Sequence, residues 1–398
     1  MSLVGAALAL TWANLSVVAP LWHELGELLR LDETAMGAVG GVGGLAMLLS
    51  MPLWGRLTDR FDARAVLIAG QVMAGVAFAV WGAAIAWLAH AGASPQLNFA
   101  LTAGLRAVAS FAVGGAAVAS LPLVAALGRS APAQAIARFG AMSSVGLVGG
   151  PAFVALAPGL ASTTRLELLG ALTAASGLAA MRLPRPTAHP DHGASAVEPL
   201  PWRYLGAMLL GLFVVNLGLA LVDFGSSYYA VDVLGLVGAD AAWTSGVGLT
   251  VAAVASGGAQ AVLGGRSGWR VGATVAVSGA ALLVGMLLLL AARTAPLAWL
   301  GYAVAGVAHG LAMPALQTAL LAVVPPRSHG RASSGSSAAL GLAYIVGPVL
   351  AGLLHGFHAL GTVACCALLG GAILAQAPWV SRSVQRGAAA VAAGEGGP

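Results

Sequence analysis

The stretch Gly55-Arg56-Leu57-Thr58-Asp59-Arg60-Phe61-Asp62-Ala63-Arg64 decides how this chain is organised. Five of its ten residues are charged, although charged residues make up only 8% of the chain. Long apolar runs flank the stretch on both sides, and a charged turn between two such runs is expected at a membrane surface. The stretch therefore predicts two adjacent transmembrane helices and marks one side of the membrane.

The rest of the chain repeats this pattern of apolar runs and short polar turns. The 398 residues are 59% hydrophobic, with a mean hydropathy of +0.91. Runs of about 20 apolar residues can cross the ~30 Å hydrocarbon layer as helices. We place them at roughly 3–22, 35–54, 65–89, 98–127, 139–160, 165–182, 204–231, 241–263, 271–292, 296–323, 333–356 and 359–379. The sequence predicts an all-α integral membrane protein with about 12 transmembrane helices.

The arginines set the orientation of these helices, because positively charged loops tend to stay in the cytoplasm. All 18 basic residues are arginines. If both termini are cytoplasmic, Arg30, Arg165 and Arg293 lie on the far side and Arg106 lies inside a helix. The cytoplasmic loops and tail then hold Arg56, Arg60, Arg64, Arg129, Arg138, Arg182, Arg185, Arg203, Arg266, Arg270, Arg327, Arg331, Arg382 and Arg386. We therefore predict a multi-pass protein of the cell (inner) membrane with both termini cytoplasmic.

A polar, proline-rich segment, residues 183–203, follows the sixth apolar run. Its composition is typical of a disordered linker, with a regulatory site as the alternative. We predict an N-terminal six-helix bundle over residues 1–182, a cytoplasmic linker over 183–203, a C-terminal six-helix bundle over 204–380 and a cytoplasmic tail over 381–398. The pairs Gly150-Pro151 and Gly347-Pro348 lie about half the chain apart, which indicates an internal duplication or a chance match of common residues.

The charged stretch resembles the loop motif of the major facilitator superfamily, G-x-L-x-D-R-x-G-R-[KR]. The residues in their motif positions are Gly55, Leu57, Asp59, Arg60 and Arg64. Asp62 stands where that family usually has glycine, and Ala63 where it usually has arginine. The resemblance covers essentially the whole chain and implies the fold of that family, with two pseudo-symmetric six-helix bundles. Gly55 is expected to permit close helix approach, and the charged residues to form a latch between conformational states; a solvated loop that only sets topology is the alternative.

Gly146-x-x-x-Gly150-Pro151 resembles the fifth-helix motif of the drug:proton antiporter branch of bacterial efflux proteins. Gly347 and Pro348 repeat part of it in the eleventh helix. Glycine lets helices approach closely and proline bends them, so these residues are expected to be hinge and packing residues. The resemblance implies alternating access in a secondary transporter.

Ionisable side chains inside the apolar runs are the candidate functional residues, because a charge in hydrocarbon is costly without a cavity or a partner. Arg106 resembles the fourth-helix arginine of proton antiporters, and it could hold an anionic substrate or act on a nearby carboxylate. A structural arginine is the alternative. Asp223 lies in the seventh run, where proton coupling and a role as a water-exposed gate residue are both open. The neighbouring Tyr228 is interpreted as a gate or substrate-stacking residue, or as part of an interfacial belt.

His309 in the tenth run is a candidate for a proton or substrate contact, because histidine titrates near neutrality. A neutral, hydrogen-bonded histidine is equally open. Gln317, two turns further on, and Asn14 in the first run are weaker candidates for the substrate path.

Motifs for nucleotide binding, metal ligation and hydrolytic catalysis are not evident, so we predict a non-enzymatic protein without cofactor or metal. The expected partners are a small-molecule substrate, protons and the lipid bilayer, with no nucleic acid, and the expected form is a monomer. We predict proton-coupled efflux of a small amphipathic molecule by alternating access. A specific metabolite or siderophore exporter is the close alternative, and a non-transporting receptor on the same fold is the alternative of another class.

Overall fold

The computed structural model describes residues 2–127, 132–183, 202–264, 270–324 and 329–392. Helices make up nearly all of these ranges. They are α1 (Ser2–Ser16), the 3-10 turn η1 (Ala19–Leu21), α2 (Trp22–Leu29), α3 (Glu33–Phe61), α4 (Ala63–Ala91), α5 (Pro95–Leu127), α6 (Pro132–Leu156), α7 (Ser162–Ala179), the 3-10 turn η2 (Ala180–Arg182), α8 (Trp202–Asp232), α9 (Gly238–Gly264), α10 (Val271–Ala291), α11 (Ala295–Ala322), α12 (His329–Phe357) and α13 (Gly361–Ala392). The predicted linker lies almost entirely outside the described residues.

Twelve helical segments result if α1, η1 and α2 are counted as one, interrupted where Pro20 lacks a backbone donor. Ten segments in the described ranges are long and apolar enough to cross a membrane. The other two are α6, with a described apolar part of Met142–Leu156, and the short α7, which carries Arg165 and Glu167. The all-α fold with about 12 membrane helices agrees with the sequence prediction.

The last helix is longer than the sequence indicated. The final apolar run was placed at 359–379, with a tail from residue 381, but α13 continues to Ala392. Residues 381–392 are mostly alanine, arginine, glutamine and serine, and several of these favour the helix without needing burial.

The helices form two compact units. The first contains α1 to α7, the last part of α8 from Asp223, the first part of α9 up to Thr250 and the last part of α12 from Pro348. The second contains the remaining parts of α8, α9 and α12 together with α10, α11 and α13. The predicted division at residues 183–203 stays a prediction.

Glycine pairs hold the most extensively packed helices at backbone contact distance. In the first unit, a Cβ on Gly170 of α7 would lie 2.6 Å from the Gly75 carbonyl of α4. In the second unit, a Cβ on Gly279 of α10 would lie 2.8 Å from the Gly370 carbonyl of α13. Only glycine allows backbones to approach this closely. The recurrence of this contact about 200 residues along the chain is what an internal duplication would produce.

The turn after α3 explains why a glycine is usual at position 62 of the loop motif. Asp62 has φ 128 and ψ 151, a conformation that is almost restricted to glycine. Its carboxylate accepts a hydrogen bond from the Ala65 amide at 2.8 Å and so caps α4. The cap offsets part of the strain that a non-glycine residue meets here.

The first unit has a closely packed end opposite this turn, which we call the distal end: residues 17–37, 224–246 and 348–358. Trp22 of α2 meets Phe224 of α8 edge to face, with ring centroids 5.0 Å apart. A Cβ on Gly37 of α3 would lie 2.6 Å from the Pro348 carbonyl of α12. The ends of α8 and α12 therefore pack directly against α2 and the start of α3.

Candidate functional site

Arg106 is the most unusual charged residue among the described spans. It lies about a third of the way along α5, with only 4% of its surface exposed. Its guanidinium carbon lies 5.4 Å from the ring centroid of Trp81 and 5.7 Å from that of Phe78, both on α4. Within the described part of the chain, its Nε and Nη1 atoms have no hydrogen-bond partner. The arginine is thus held against aromatic faces while part of its donor set is unused.

The neighbouring helix α3 leaves room for this side chain. A Cβ on Gly43 would lie 3.0 Å from both Cγ and Nε of Arg106, so a larger residue there would crowd the guanidinium. The hydroxyl of Thr102, one turn earlier on α5, is also buried without a hydrogen-bond partner among the described residues. Donors without acceptors in a buried place indicate either a cost in stability or a site for an absent acceptor.

Arg165, at the start of α7, shows what a structural arginine looks like in the same unit. It is 2% exposed, and its Nε and Nη2 donate to the Ala157 carbonyl at 3.2 and 2.9 Å. Nη2 also donates to the Pro158 carbonyl at 3.2 Å. Arg165 therefore fastens the end of α6 to α7, which is a packing role that Arg106 does not have.

Asn14, a predicted path residue, lies in a helix–helix interface. It is fully buried, and its side-chain amide donates to Thr173 and, at 3.4 Å, to the Leu169 carbonyl of α7. These bonds connect α1 to α7. The Oδ1 atom of Asn14 has no hydrogen-bond partner among the described residues, and its place on the substrate path stays a prediction.

Asp223 and Tyr228 lie on the distal part of α8. Asp223 is half-buried, and its backbone carbonyl accepts a hydrogen bond from the Ser226 hydroxyl at 2.9 Å. Tyr228 is only 3% exposed, and its hydroxyl has no hydrogen-bond partner among the described residues. Tyr228 is therefore buried in the distal end of the first unit.

Three ionisable residues around Tyr228 were not identified from the sequence: His23, Asp232 and His355. The His355 ring stacks on Tyr228 with centroids 4.9 Å apart, and the His23 ring meets it edge to face at 5.5 Å. His355 Nε2 lies 2.6 Å from Asp232 Oδ2. The available signal was the presence of two histidines within apolar runs, but no spacing rule connects residues 123 positions apart.

His309 and Gln317 belong to α11 in the second unit. His309 Nδ1 lies 3.1 Å from the Ser256 hydroxyl, which also accepts a hydrogen bond from Gln260 at 3.3 Å. His309 Nε2 is buried without a partner among the residues described. Gln317 is exposed. His309 therefore combines one satisfied and one unsatisfied ring nitrogen.

The predicted latch residues end α3 and begin α4. Arg64 donates from Nε to the Ala180 carbonyl at 3.4 Å and from Nη2 to the Met181 carbonyl, so it binds the end of α7 and η2. Arg60 is exposed over the ring of Phe61, and the side chain of Asp59 lies outside the described residues. The expected close approach at Gly55 is wrong, because a Cβ there would meet no heavy atom within 4 Å in the described structure.

The predicted hinge and packing glycines occupy tight contacts. A Cβ on Gly150 would lie 2.6 Å from the Ala13 carbonyl of α1, and Gly146 lies equally close to that helix. Gly347 packs against Ala220 of α8. Pro151 and Pro348 both lie inside their helices, α6 and α12. Close packing at these positions agrees with the sequence analysis, while a hinge role stays a prediction.

Comparison with known proteins identifies the fold. The profile of the Major Facilitator Superfamily matches residues 1–348. A bacterial homologue of the human lysosomal transporter Spinster, in an inward-facing and occupied conformation, is similar in structure with a TM-score of 0.69 at 15% identity, over 97% of this chain and 92% of that one. The nucleoside transporter NupG is similar with a TM-score of 0.69 at 14% identity, over 96% of this chain and 99% of that one.

The two solved structures show the fold alone, because their sequence identities are low, and they do not single out the drug:proton antiporter branch. The family profile covers most of the chain and confirms the predicted fold class, the multi-pass membrane character and the absence of an enzymatic role. The chain therefore belongs to the Major Facilitator Superfamily and is a secondary membrane transporter.

Proposed function

We propose that this transporter exports a small amphipathic molecule across the cell (inner) membrane in exchange for protons, by alternating access. The observation that carries the proposal is the buried guanidinium of Arg106, which has unused donors beside two aromatic rings. An apolar body can pack against such rings, and an acidic group can accept from the guanidinium. The site thus suits an amphipathic molecule better than a purely apolar one.

The arginine distribution supports the orientation in the membrane that we propose. Placing residues 55–64 on the cytoplasmic side puts fourteen of the 18 basic residues there. Both termini are then cytoplasmic, and the distal end faces the other side of the membrane. Asp223, Tyr228, His309 and Gln317 remain candidates for proton coupling or the substrate path, and Asp59, Arg60 and Arg64 for the latch.

Export of a specific acidic metabolite, including a siderophore, is the second candidate function. The same observation favours it, because a fixed cation inside the membrane discriminates strongly by charge. The two candidates differ in breadth. An exporter of many amphipathic compounds should accept neutral and anionic members of a series, whereas a specific exporter should accept one anionic compound.

Flux measured in proteoliposomes tests the coupling. A panel of paired amphipathic compounds, identical except for a carboxylate or its methyl ester, is screened first by growth inhibition and export from cells that produce the protein. The best compound is then loaded into proteoliposomes, and its flux is measured with and without an imposed pH gradient. We expect flux to increase when protons can move in exchange, and flux that ignores the gradient would exclude proton coupling.

Substitutions test the residues. We expect Arg106→Ala to abolish export of the carboxylate compound and Arg106→Lys to retain part of it, because lysine keeps the charge without the planar donor fork. Asp223→Asn should reduce the response to the gradient. His90→Gln is the matched control, since His90 is exposed and its ring lies 2.7 Å from a carbonyl of its own helix. If Arg106→Ala and Asp223→Asn both leave flux unchanged, the site assignment is wrong.

A further inference from the structure

The distal end contains a group of aromatic and ionisable side chains that the proposed function does not use: His23, Tyr228, Asp232 and His355, which we call the distal cluster. His355 is the centre of it. Its ring is stacked on Tyr228 at 4.9 Å, its Nε2 is 2.6 Å from the Asp232 carboxylate, and its side chain is only 4% exposed. The Asp232 side chain is 41% exposed. The pair therefore joins a buried imidazole to a carboxylate that solvent reaches.

Two features make this pair suited to bind a proton. A histidine proton can be gained or lost between about pH 5 and 8. When protonated, His355 forms an ion pair with Asp232 and lies in the last turn of α12, where the helix end carries partial negative charge. When neutral, His355 no longer forms an ion pair with the Asp232 carboxylate.

Acidic groups surround the pair on the neighbouring elements. Asp32 and Glu33, at the start of α3, interact electrostatically with Tyr228, as does Asp232 itself. The Glu33 carbonyl lies next to Gly352 of α12, so this acidic turn is packed against the helix that carries His355. The charged and titratable side chains of the distal end are His23, Glu24, Glu27, Arg30, Asp32, Glu33, Tyr228, Tyr229, Asp232, Asp240, His355 and His358, and those next to it are Arg165 at the start of α7 and Asp223 on α8.

The balance of these charges depends on His355. Arg165 is bound to two carbonyls, and Arg30 is the other arginine in the group. Carboxylates therefore predominate on both sides of the contact between α3 and the ends of α8 and α12. A proton on His355 places a positive charge among them, whereas its loss leaves like charges facing one another.

Water can reach the cluster from the side of α2. A pocket of about 50 Å³ is lined by His23, Glu24, Glu27 and Ser227, among other residues. The backbone amide of His23 donates to the Ser227 hydroxyl at 3.2 Å, next to Tyr228. The pocket meets the cluster at His23, and the exposed carboxylate of Asp232 is the group through which solvent reaches His355.

We propose that the His355–Asp232 pair is a proton-binding site that keeps the distal end closed when occupied and lets it open when the proton leaves. This inference rests on the proposed proton coupling and specifies where one proton binds and what it does. On the proposed orientation, a proton from outside the cell would close the outer side of the transporter. Proton uptake from outside with closure of the outer side makes up one half of the cycle of proton-driven export, and the other half is release of that proton to the cytoplasm.

The test measures access to Ser227, which is 2% exposed in the closed distal end. Cys365→Ser and Cys366→Ser remove the native thiols. In that background, Ser227→Cys is labelled with a membrane-impermeant maleimide in detergent between pH 5.5 and 8, without substrate or gradient. Because thiolate content itself changes with pH, each rate is divided by the rate for Val237→Cys, which is 74% exposed at the same end.

We expect the normalised labelling rate to rise about tenfold from pH 5.5 to 8, the change of one decade that ~1.4 kcal/mol represents. His355→Gln should be labelled rapidly at every pH, and Asp232→Asn slowly at every pH, because the first loses the cation and the second the repelling carboxylate. His90→Gln, with its histidine outside the cluster, should behave like the parent.

Two results would overturn the proposal: a normalised rate in the parent that does not change with pH, or a pH response that survives in either His355→Gln or Asp232→Asn. If one of these variants fails to fold, the pH response of the other still tests the proposal. Labelling requires no transported compound, so a failure here is distinct from a failure of the proposed export. A failure of the proposed proton-coupled export would appear as flux that does not change with a pH gradient, while the labelling rate of Ser227→Cys still changes with pH.

Discussion

Replacing Arg106 by methionine removes a buried charge while keeping most of the volume of the side chain. The unused Nε and Nη1 donors of Arg106 are each expected to cost about 1–3 kcal/mol. Insertion data for arginine at the centre of a membrane helix give a similar penalty of about 2.5–3.5 kcal/mol. The cation–π contacts with Trp81 and Phe78 offset roughly 0.5–2 kcal/mol each.

The methionine thioether recovers part of the aromatic contact, about 0.3–1.5 kcal/mol. Arg106→Met is therefore expected to stabilise the protein by about 1–2 kcal/mol, although it should abolish transport of an acidic compound. The assay is thermal unfolding of the detergent-solubilised protein, read with flux in proteoliposomes. The midpoint temperature of unfolding should be about 2–5 °C higher for Arg106→Met than for the parent protein.

Arg165→Met is the matched control, because Arg165 is equally buried but donates to two carbonyls. Losing those bonds should lower the stability by about 2–4 kcal/mol. The reasoning would be refuted if Arg106→Met lowered the midpoint as much as Arg165→Met and left flux intact. Arg106 would then be a structural arginine, the alternative that its sequence position left open.

Three further pairs of substitutions test the packing and the turn by the same unfolding assay. Gly170→Val should destabilise by about 1–3 kcal/mol or prevent folding, whereas Gly104→Ala, which meets no atom within 4 Å in the described structure, should be neutral or slightly stabilising. Asp62→Ala should lower the stability by about 1 kcal/mol, because it loses the helix cap and keeps the strained φ. Asp62→Gly should lower it less, because glycine relieves that strain. Equal unfolding midpoints for the two variants would contradict the role of φ. Trp54→Phe should cost about 1–2 kcal/mol because the indole donates to the Phe111 carbonyl at 2.8 Å, and Trp202→Phe, at a position 62% exposed, should change nothing measurable.

The sequence predicted the fold well because membrane helices are determined by composition over about 20 residues. The apolar runs located the helices, and the loop motif at Gly55, Asp59 and Arg60 indicated the family. Helix ends were less certain. Residues 381–392 continue α13 because alanine and arginine extend a helix without burial, and no apolar signal marks that extension.

The orientation of polar side chains could not be predicted. Asn14 was interpreted as a path residue, but it bonds to Leu169 and Thr173 on α7. A helix that is apolar on all sides gives no indication of which face meets a neighbour. Arg106 was identified because charge alone marks it. The His355–Asp232 pair was missed because it forms only where the ends of α8 and α12 meet.

The contrast between Arg106 and His355 assigns them different tasks. A buried ionisable group persists only if its cost is met by a partner in the protein or by one that arrives from outside. Arg106 has donors without acceptors among the described residues, which supports its proposed role in binding a ligand. His355 already has Asp232 at 2.6 Å, so it needs no ligand beyond a proton. Binding at Arg106 and gating at His355 can therefore be separated by mutation: Arg106→Ala should eliminate flux but leave the pH response of Ser227→Cys labelling intact, whereas His355→Gln should eliminate that pH response.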